Sequence, residues 1–270
     1  MGINNDFIHV KQNTENMKKL LLFVLTSLFV GGALFAQEDE SGKLKNAGNA
    51  AYKAKNYKEA VENWEKYLKA IDYKDDACVY NVALLSYKFL KNYPQAEKYF
   101  DMSIKNNYKV ASSYQGKADA QENQNKIAEM LKTLEDGIKA TPGQNVKLEK
   151  MYSDYFAKEG QKFQKANNIA KAAENFTKSS QVSNKQLKAR GLLSLGTLYF
   201  NNGASILQKA TPFANSEKEK YEAEKAKALA DFKKAQDYLN QAATVEPANE
   251  SVKETLKQVK EAIAPLVEKK

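Results

Sequence analysis

Apolar residues recur along most of this chain in pairs of helical stripes. The first pair of stripes consists of Leu44, Ala47, Gly48 and Ala51, followed by Ala60, Trp64, Tyr67 and Leu68. The segment Lys55-Asn56-Tyr57 separates the two. Spacings of three and four residues place side chains on one face of an α-helix, so this pattern predicts two amphipathic helices joined by a short turn. Five prolines in 270 residues, without clear strand-and-turn alternation, also favour helices.

The same pattern returns at a nearly constant interval. A small or compact residue is followed twelve positions later by another, and an aromatic residue or leucine stands four positions further on. The sets are Gly48, Ala60 and Trp64; Leu84, Ala96 and Phe100; Ala118, Met130 and Leu134; and Gly160, Ala172 and Phe176. Their first members are 36 residues (48 to 84) and 34 residues (84 to 118) apart. Small residues let helices approach while the larger side chain fills the gap, so we interpret these positions as packing.

Two departures from the interval predict longer helices. Helix-forming sequence begins near Gln144, before the start near Ser153 that the interval predicts, so the first helix of the fourth pair is extended. The distance from Gly196 to Ala235 is 39 residues where other pairs have 12, an insertion of 27. We therefore expect overlong helices at roughly 187–210 and 216–244.

The ends of these elements have their own signals. Thr211-Pro212-Phe213 breaks the long pair, and Ser216 with Glu219 is typical of a capping box that begins the second helix. The segment from Glu250 to Glu268 is rich in lysine and glutamate, with a possible interruption at Pro265. Its polar outer face suits the end of a repeat array.

The N-terminal pattern predicts export. The basic segment Met17-Lys18-Lys19 precedes an apolar run, Leu20 to Phe29, and small residues that end at Ala36. This order is typical of a secretory signal peptide cleaved after Ala36, with Met17 as the expected natural start. The alternative is a membrane anchor, but the apolar run is short for a membrane span.

Cysteine and histidine content limits the possible chemistry. Cys78, the single cysteine, lies far from the signal, which argues against a lipoprotein and excludes an internal disulfide. The single histidine, His9, falls in the segment expected to be removed. We therefore expect no catalytic residues, metal site or cofactor. Asp75 and Asp76 are interpreted as helix-capping residues.

The basic residues indicate which classes of binding partner to expect. The formal net charge is +9, and all basic residues except Arg190 are lysine. Arginine is preferred for bidentate phosphate recognition, so this composition argues against nucleic-acid binding. Lysine is common on solvated helix surfaces.

The repeated positions resemble the tetratricopeptide repeat (TPR). The resemblance rests on Leu44-x-x-Ala47-Gly48-x-x-Ala51 with Tyr57-x-x-Ala60-x-x-x-Trp64, and on Tyr80-x-x-Ala83-Leu84-x-x-Tyr87 with Tyr93-x-x-Ala96-x-x-x-Phe100. It implies an all-α fold, a right-handed alpha-alpha superhelix of about five helical hairpins with an elongated last hairpin and a C-terminal capping helix. The expected divisions are 1–36 (extension and signal), 41–76, 77–110, 111–144, 145–186 and 187–249 (repeats), and 250–270 (cap).

TPR proteins commonly bind peptides or protein segments in a groove lined by the first helix of each repeat. One subtype clamps a C-terminal carboxylate. Lys45 and Asn49 match its first pair, but Val82, Ser112 and Gly116 stand where the remaining Asn, Lys and Arg are needed. A carboxylate clamp is therefore not expected. The predicted groove residues are Lys45, Asn49, Tyr52, Asn81, Leu85, Phe89, Gln115 and Asp119. The alternative is that Tyr52 and Phe89 pack between repeats.

These patterns predict a non-catalytic exported scaffold, periplasmic or associated with the cell envelope of a bacterium. It would bind a protein or peptide partner and have no integral membrane span after signal cleavage. The alternative is a structural envelope protein held to acidic polymers or a membrane surface by its positive charge. A hydrolase or transferase is a third possibility.

Overall fold

The computed structural model describes residues 40–267, and the predicted signal peptide lies outside them. The described chain contains α-helices and one short 3₁₀ turn, Thr211–Phe213, and no strand. The helices are α1 (40–53), α2 (Tyr57–Ala70), α3 (Asp76–Lys88), α4 (Tyr93–Lys105), α5 (Val110–Asn123), α6 (Ile127–Ala140), α7 (Val146–Lys165), α8 (Ile169–Ser180), α9 (Lys185–Ala210), α10 (Lys218–Val245) and α11 (Glu250–Val267).

The described residues form two compact units. The first contains residues 40–109 and 119–125, and the second contains residues 110–118 and 126–267. In the first unit α3 packs on α4 and α2 packs on α3. In the second unit the successive pairs from α6 to α11 are also in contact. This order of consecutive packed helices confirms the predicted all-α repeat fold.

Close helix contacts occur at the repeated small residues. A Cβ atom added to Gly48 would lie 2.4 Å from Cδ1 of Trp64. The corresponding distances are 2.6 Å from Gly160 to Phe176 and 2.5 Å from Gly196 to Leu239. Since real Cβ atoms do not approach other atoms below about 3 Å, a larger residue at these positions would displace the facing side chain. The predicted packing role of these positions is confirmed.

The last hairpin is elongated, as predicted. Helices α9 and α10 contain 26 and 28 residues, which corresponds to lengths of about 40 Å at 1.5 Å per residue. The capping-box prediction was wrong. The turn after Thr211–Phe213 continues, with the Glu217 N–H donating to the Phe213 carbonyl at 2.9 Å, so α10 begins at Lys218 without a side-chain cap.

Helix α11 continues through Pro265 to Val267, so no interruption occurs at the proline. Proline lacks a backbone N–H, so one more carbonyl is left without an intrahelical hydrogen bond. This loss is small near the C-terminus of a helix, where the last four carbonyls have no intrahelical donor in any case. Val252 and Val259 are buried with the α9 and α10 residues. The polar outer face expected of a terminal helix follows from this one-sided burial.

Candidate protein-binding surface

Lys45, on α1, is held in an ion pair. Its Nζ lies 2.7 Å from Oδ2 of Asp75, which also accepts a hydrogen bond from the Tyr67 hydroxyl at 3.1 Å. Oδ1 of Asp75 accepts from the Cys78 N–H at 3.0 Å and thereby caps α3, as predicted. Asp76 is the first residue of α3, and its Oδ1 accepts from Nδ2 of Asn106 at 2.7 Å, so the capping role predicted for it was wrong. Lys45 therefore joins α1 to the start of α3 and is engaged within the protein.

The contacts between Lys45, Tyr67 and Asp75 shift the pKa values of Asp75 and Lys45. Burial by itself would raise the pKa of Asp75, but hydrogen bonds from Lys45, the Cys78 N–H and Tyr67 hold this pKa below its ordinary value. The hydrogen bond to Asp75 raises the pKa of Lys45. Both groups are thus charged at neutral pH.

We expect Asp75→Asn to lower the free energy of unfolding at pH 7 by roughly 1 kcal/mol, a value discounted because Lys45 is partly exposed. The asparagine oxygen can still cap α3, so the loss reports the contacts with Lys45 and Tyr67. Because the folded pKa of Asp75 is depressed, its contribution is present above the unfolded value of about 3.9 and is lost as pH falls through the folded pKa. Urea unfolding between pH 2.5 and 8 measures this difference, which should shrink below about pH 4. A constant difference down to pH 2.5 would contradict the assignment.

Asn49 supports the core directly. Its Oδ1 accepts a hydrogen bond from Nε1 of Trp64 at 3.1 Å. Trp64 itself is buried beside Gly48. Asn49 is exposed, so it combines an internal contact with an accessible position, and its replacement would disturb both.

Tyr52 and Phe89 form the accessible part of an aromatic cluster. Their exposed fractions are 48% and 50%. The ring of Phe89 stacks on that of Tyr57 with 3.8 Å between centroids. The Tyr52 ring centroid lies 6.1 Å from that of Tyr57 and 5.7 Å from that of Trp64. The two rings thus pack against neighbouring helices on one side and face solvent on the other.

The remaining predicted residues divide into three cases. Leu85 is only 3% exposed and belongs to the core, so it offers no surface to a ligand. Leu85 lies on the face of α3 that packs in the core of the first unit. Asn81 and Asp119 are half-buried residues of the first unit, while Gln115 belongs to the second unit and is described apart from the others. We call the positions Lys45, Asn49, Tyr52, Asn81, Phe89 and Asp119 the first-helix surface.

Sequence reasoning missed Tyr57 and the lysines of the two hairpin turns beside Phe89. The sequence predicts Tyr57 as part of the helix break and as a repeat-motif position, and not as a neighbour of Phe89, on which its ring stacks. The available signal was the composition of residues 50–58 and 87–94, which contain five lysines and neither aspartate nor glutamate.

We next consider the side chains of residues 40–267 that could act as a nucleophile or bind a metal ion. Cys78 is buried, and burial raises the pKa of its thiol to about 12, so the nucleophilic thiolate is scarce at neutral pH. Residues 40–267 contain no cluster of three or more His, Cys, Asp or Glu side chains able to hold a metal ion. None of the helices in that range has the length and apolar character required to cross a membrane.

Solved structures resemble this chain to different degrees. A TPR repeats protein from Bacteroides fragilis NCTC 9343 is 47% identical over 83% of this chain and 99% of its own, with a TM-score of 0.77. The TPR2AB domain of yeast Sti1, in complex with pHSP90, is 16% identical over 86% and 100%, with a TM-score of 0.33. The TPR domain of P58(IPK) is 10% identical over 88% and 69%, with a TM-score of 0.40. No protein-family model and no curated protein matches the chain.

The similarity to the Bacteroides fragilis protein extends over nearly all of that protein. It agrees with the repeat interval, the paired helices and the close contacts at Gly48, Gly160 and Gly196. On these grounds the chain belongs to the tetratricopeptide repeat family.

Proposed function

We propose that this protein is a non-catalytic, exported scaffold that binds a protein or peptide partner during assembly or organisation of cell-envelope complexes. The observation that carries the proposal is the pair of half-exposed aromatic side chains, Tyr52 and Phe89, on the first-helix surface of a TPR fold. Aromatic side chains that lose water on association supply much of the binding energy of protein interfaces. The TPR fold itself is suited to protein–protein interaction.

The surroundings of the reactive groups support a non-catalytic role. The Cys78 thiol is buried with a raised pKa. Glu149, a buried carboxylate, accepts hydrogen bonds from backbone N–H groups, and buried Asp231 is bonded to Asn202 and Lys234. Groups that are fully engaged in this way support the fold, whereas a general acid or base must reach a substrate.

Export is proposed from the pattern of residues 17–36, which lies outside the described residues. The bacterial source of the similar TPR protein is compatible with a periplasmic or envelope location. The family and the export signal together motivate an envelope partner.

Excess positive charge motivates a second candidate function. The full chain has a formal net charge of +9, and residues 1–36 carry three lysines against two acids, so about eight excess positive charges remain after signal cleavage. The protein would then act as a structural component attracted to acidic envelope polymers or membrane surfaces. Such binding is nonspecific and collapses as salt shortens the range of electrostatic attraction.

We expect Tyr52→Ala/Phe89→Ala to reduce capture of an envelope partner at least about tenfold, because the double change removes both accessible rings. Purified protein is immobilised, incubated with envelope extract, and the retained proteins are quantified by mass spectrometry. Val146→Ala is the matched control because Val146 is an exposed apolar residue of the second unit. A variant lacking residues 205–228 tests the long hairpin separately.

Equal capture by the wild type and by both the aromatic double variant and the deletion would contradict the proposal. If all variants capture the same proteins, and this capture is lost in about 0.5 M salt, the result would favour the electrostatic alternative. Circular dichroism of each variant verifies that the helices are retained.

A further inference from the structure

We infer that two adjacent hairpin turns of the first unit form a binding edge for an acidic peptide segment that carries an aromatic residue. This inference rests on the proposed function and adds the chemistry of the ligand. We call residues 50–58 and 87–94 the turn edge. They comprise the turn between α1 and α2, the turn between α3 and α4, and the helix ends beside them.

Direct contacts hold the two turns side by side. Tyr57, at the start of α2, stacks on Phe89, at the end of α3. Lys58 from one turn and Leu90 and Asn92 from the other line the same shallow groove. The two lysine-bearing turns therefore lie side by side.

The turn edge carries uncompensated positive charge. It has five lysines without an aspartate or glutamate, and all five are exposed. Within residues 40–267 none of them forms an ion pair. They are Lys53, Lys55, Lys58, Lys88 and Lys91. This differs from Lys45, which is paired with Asp75.

Three acidic residues of α2 border the turn edge. Glu59 follows the first turn and accepts a hydrogen bond from Nδ2 of Asn56 at 2.6 Å. Glu65 lines the groove and accepts from Nε2 of Gln95 at 2.7 Å, while Glu62 lines it beside Glu65. The acidic side of the groove thus lies along α2, and the lysines dominate the turns.

Backbone conformation sets two of the lysines apart. Lys55 and Lys91 have φ values of 61° and 54°, in the left-handed region. Asn125 and Asn167 occupy the matching turns of the third and fourth repeats, with φ values of 57° and 55°. Asparagine tolerates this conformation better than lysine does. Backbone preference therefore does not account for lysine at these two positions, and we assign it to the charge that the lysines bring to the turn edge.

The chemistry of the edge matches one class of ligand. Lysine ammonium groups attract carboxylates, and the open parts of Tyr52 and Phe89 favour an apolar or aromatic side chain. The patch contains no arginine, the side chain best suited to phosphate groups in nucleic acids. Its rings and charges cluster on two turns, which suits a short extended segment more than a broad membrane surface.

The test uses a fluorescein-labelled ten-residue peptide containing six Asp or Glu residues and two Phe residues. Fluorescence anisotropy measures its binding to the full-length protein. We expect Lys55→Asn/Lys91→Asn to weaken binding about three- to tenfold, and Phe89→Ala to weaken it about tenfold. Asparagine matches the residue at positions 125 and 167, so the double variant retains the turn conformation.

Controls separate local charge from total charge. Lys257→Asn/Lys260→Asn on α11 removes the same number of charges from exposed positions and should leave binding unchanged. A peptide with Ala in place of both Phe residues should bind about tenfold more weakly. A peptide with Asn and Gln in place of the acids should not bind measurably.

Several outcomes would overturn the inference. Equal weakening by the α11 control would assign binding to total charge. Tighter binding to vesicles of phosphatidylserine and phosphatidylcholine, or to a single-stranded oligonucleotide, would assign the edge to a membrane or a nucleic acid. If no peptide binds while Tyr52→Ala/Phe89→Ala still reduces partner capture, the proposed function stands and the acidic ligand is rejected. If capture is also unchanged, both are rejected.

Discussion

Replacing Trp64 with alanine is expected to lower the free energy of unfolding of the first unit by about 3–5 kcal/mol. The side chain is only 4% exposed. It packs against Gly48, touches the ring of Tyr52, and donates a hydrogen bond to Asn49. Alanine would leave a cavity that the surrounding helices cannot fill without moving. Urea unfolding followed by circular dichroism at 222 nm measures the loss.

Gly48 provides the reciprocal test of the same contact. A Cβ atom there would lie 2.4 Å from Trp64, so Gly48→Ala should cost about 1–3 kcal/mol. Gly42 lies on the same helix with no neighbour within 4 Å, so Gly42→Ala should be neutral or stabilising by up to about 1 kcal/mol. Trp64 is the single tryptophan, and its fluorescence therefore follows both alanine variants. Equal stability of the two would contradict the packing role of Gly48.

Replacing Glu149 with alanine is expected to lower the free energy of unfolding of the second unit by about 2–4 kcal/mol. This α7 side chain is only 1% exposed. Its carboxylate accepts from the backbone N–H groups of Ser183 and Asn184 at 3.1 and 2.7 Å, and from the Ser183 hydroxyl. Asn184 caps α9. Removing the carboxylate would leave these donors at the start of α9 without their anionic partner.

Glu149→Gln distinguishes charge and acceptor number from side-chain size. The amide keeps one acceptor oxygen but directs an NH₂ group at a donor, so most of the destabilisation should remain. Glu174→Gln is the matched control, because the Glu174 ion pair with Lys178 lies at the surface, where solvent screens it and its loss has little effect on stability. Thermal and urea unfolding compare the three variants. A Glu149→Gln protein as stable as the Glu174→Gln protein would contradict the assigned role.

Regular features of the fold were predictable because they depend on residues close in sequence. The contact between Gly48 and Trp64 spans a single helical hairpin, and the same spacing recurs at Gly160 and Phe176. The insertion after Gly196 similarly predicted two long helices, observed as Lys185–Ala210 and Lys218–Val245. Local periodicity carries this information because each repeat packs mainly against its neighbours.

The candidate site was less predictable because its side chains depend on neighbouring helices. Repeat position placed Leu85 and Phe89 together on the groove, yet Leu85 is buried and Phe89 is half exposed. Lys45 matched a ligand-binding position and instead pairs with Asp75, thirty residues further along the chain. The groove itself stays a prediction, refined to the residues that remain accessible.

The amino-acid sequence by itself determined the repeat family, the number and lengths of the paired helices, and the small residues at their contacts. Those properties follow from helical periodicity and from side-chain volume. Only the tertiary structure decided which polar and aromatic residues remain available to a partner. It stacks Tyr57 on Phe89, buries Leu85, and brings two lysine-bearing turns together. Accessibility is a property of packed neighbours, and no spacing within one helix specifies it.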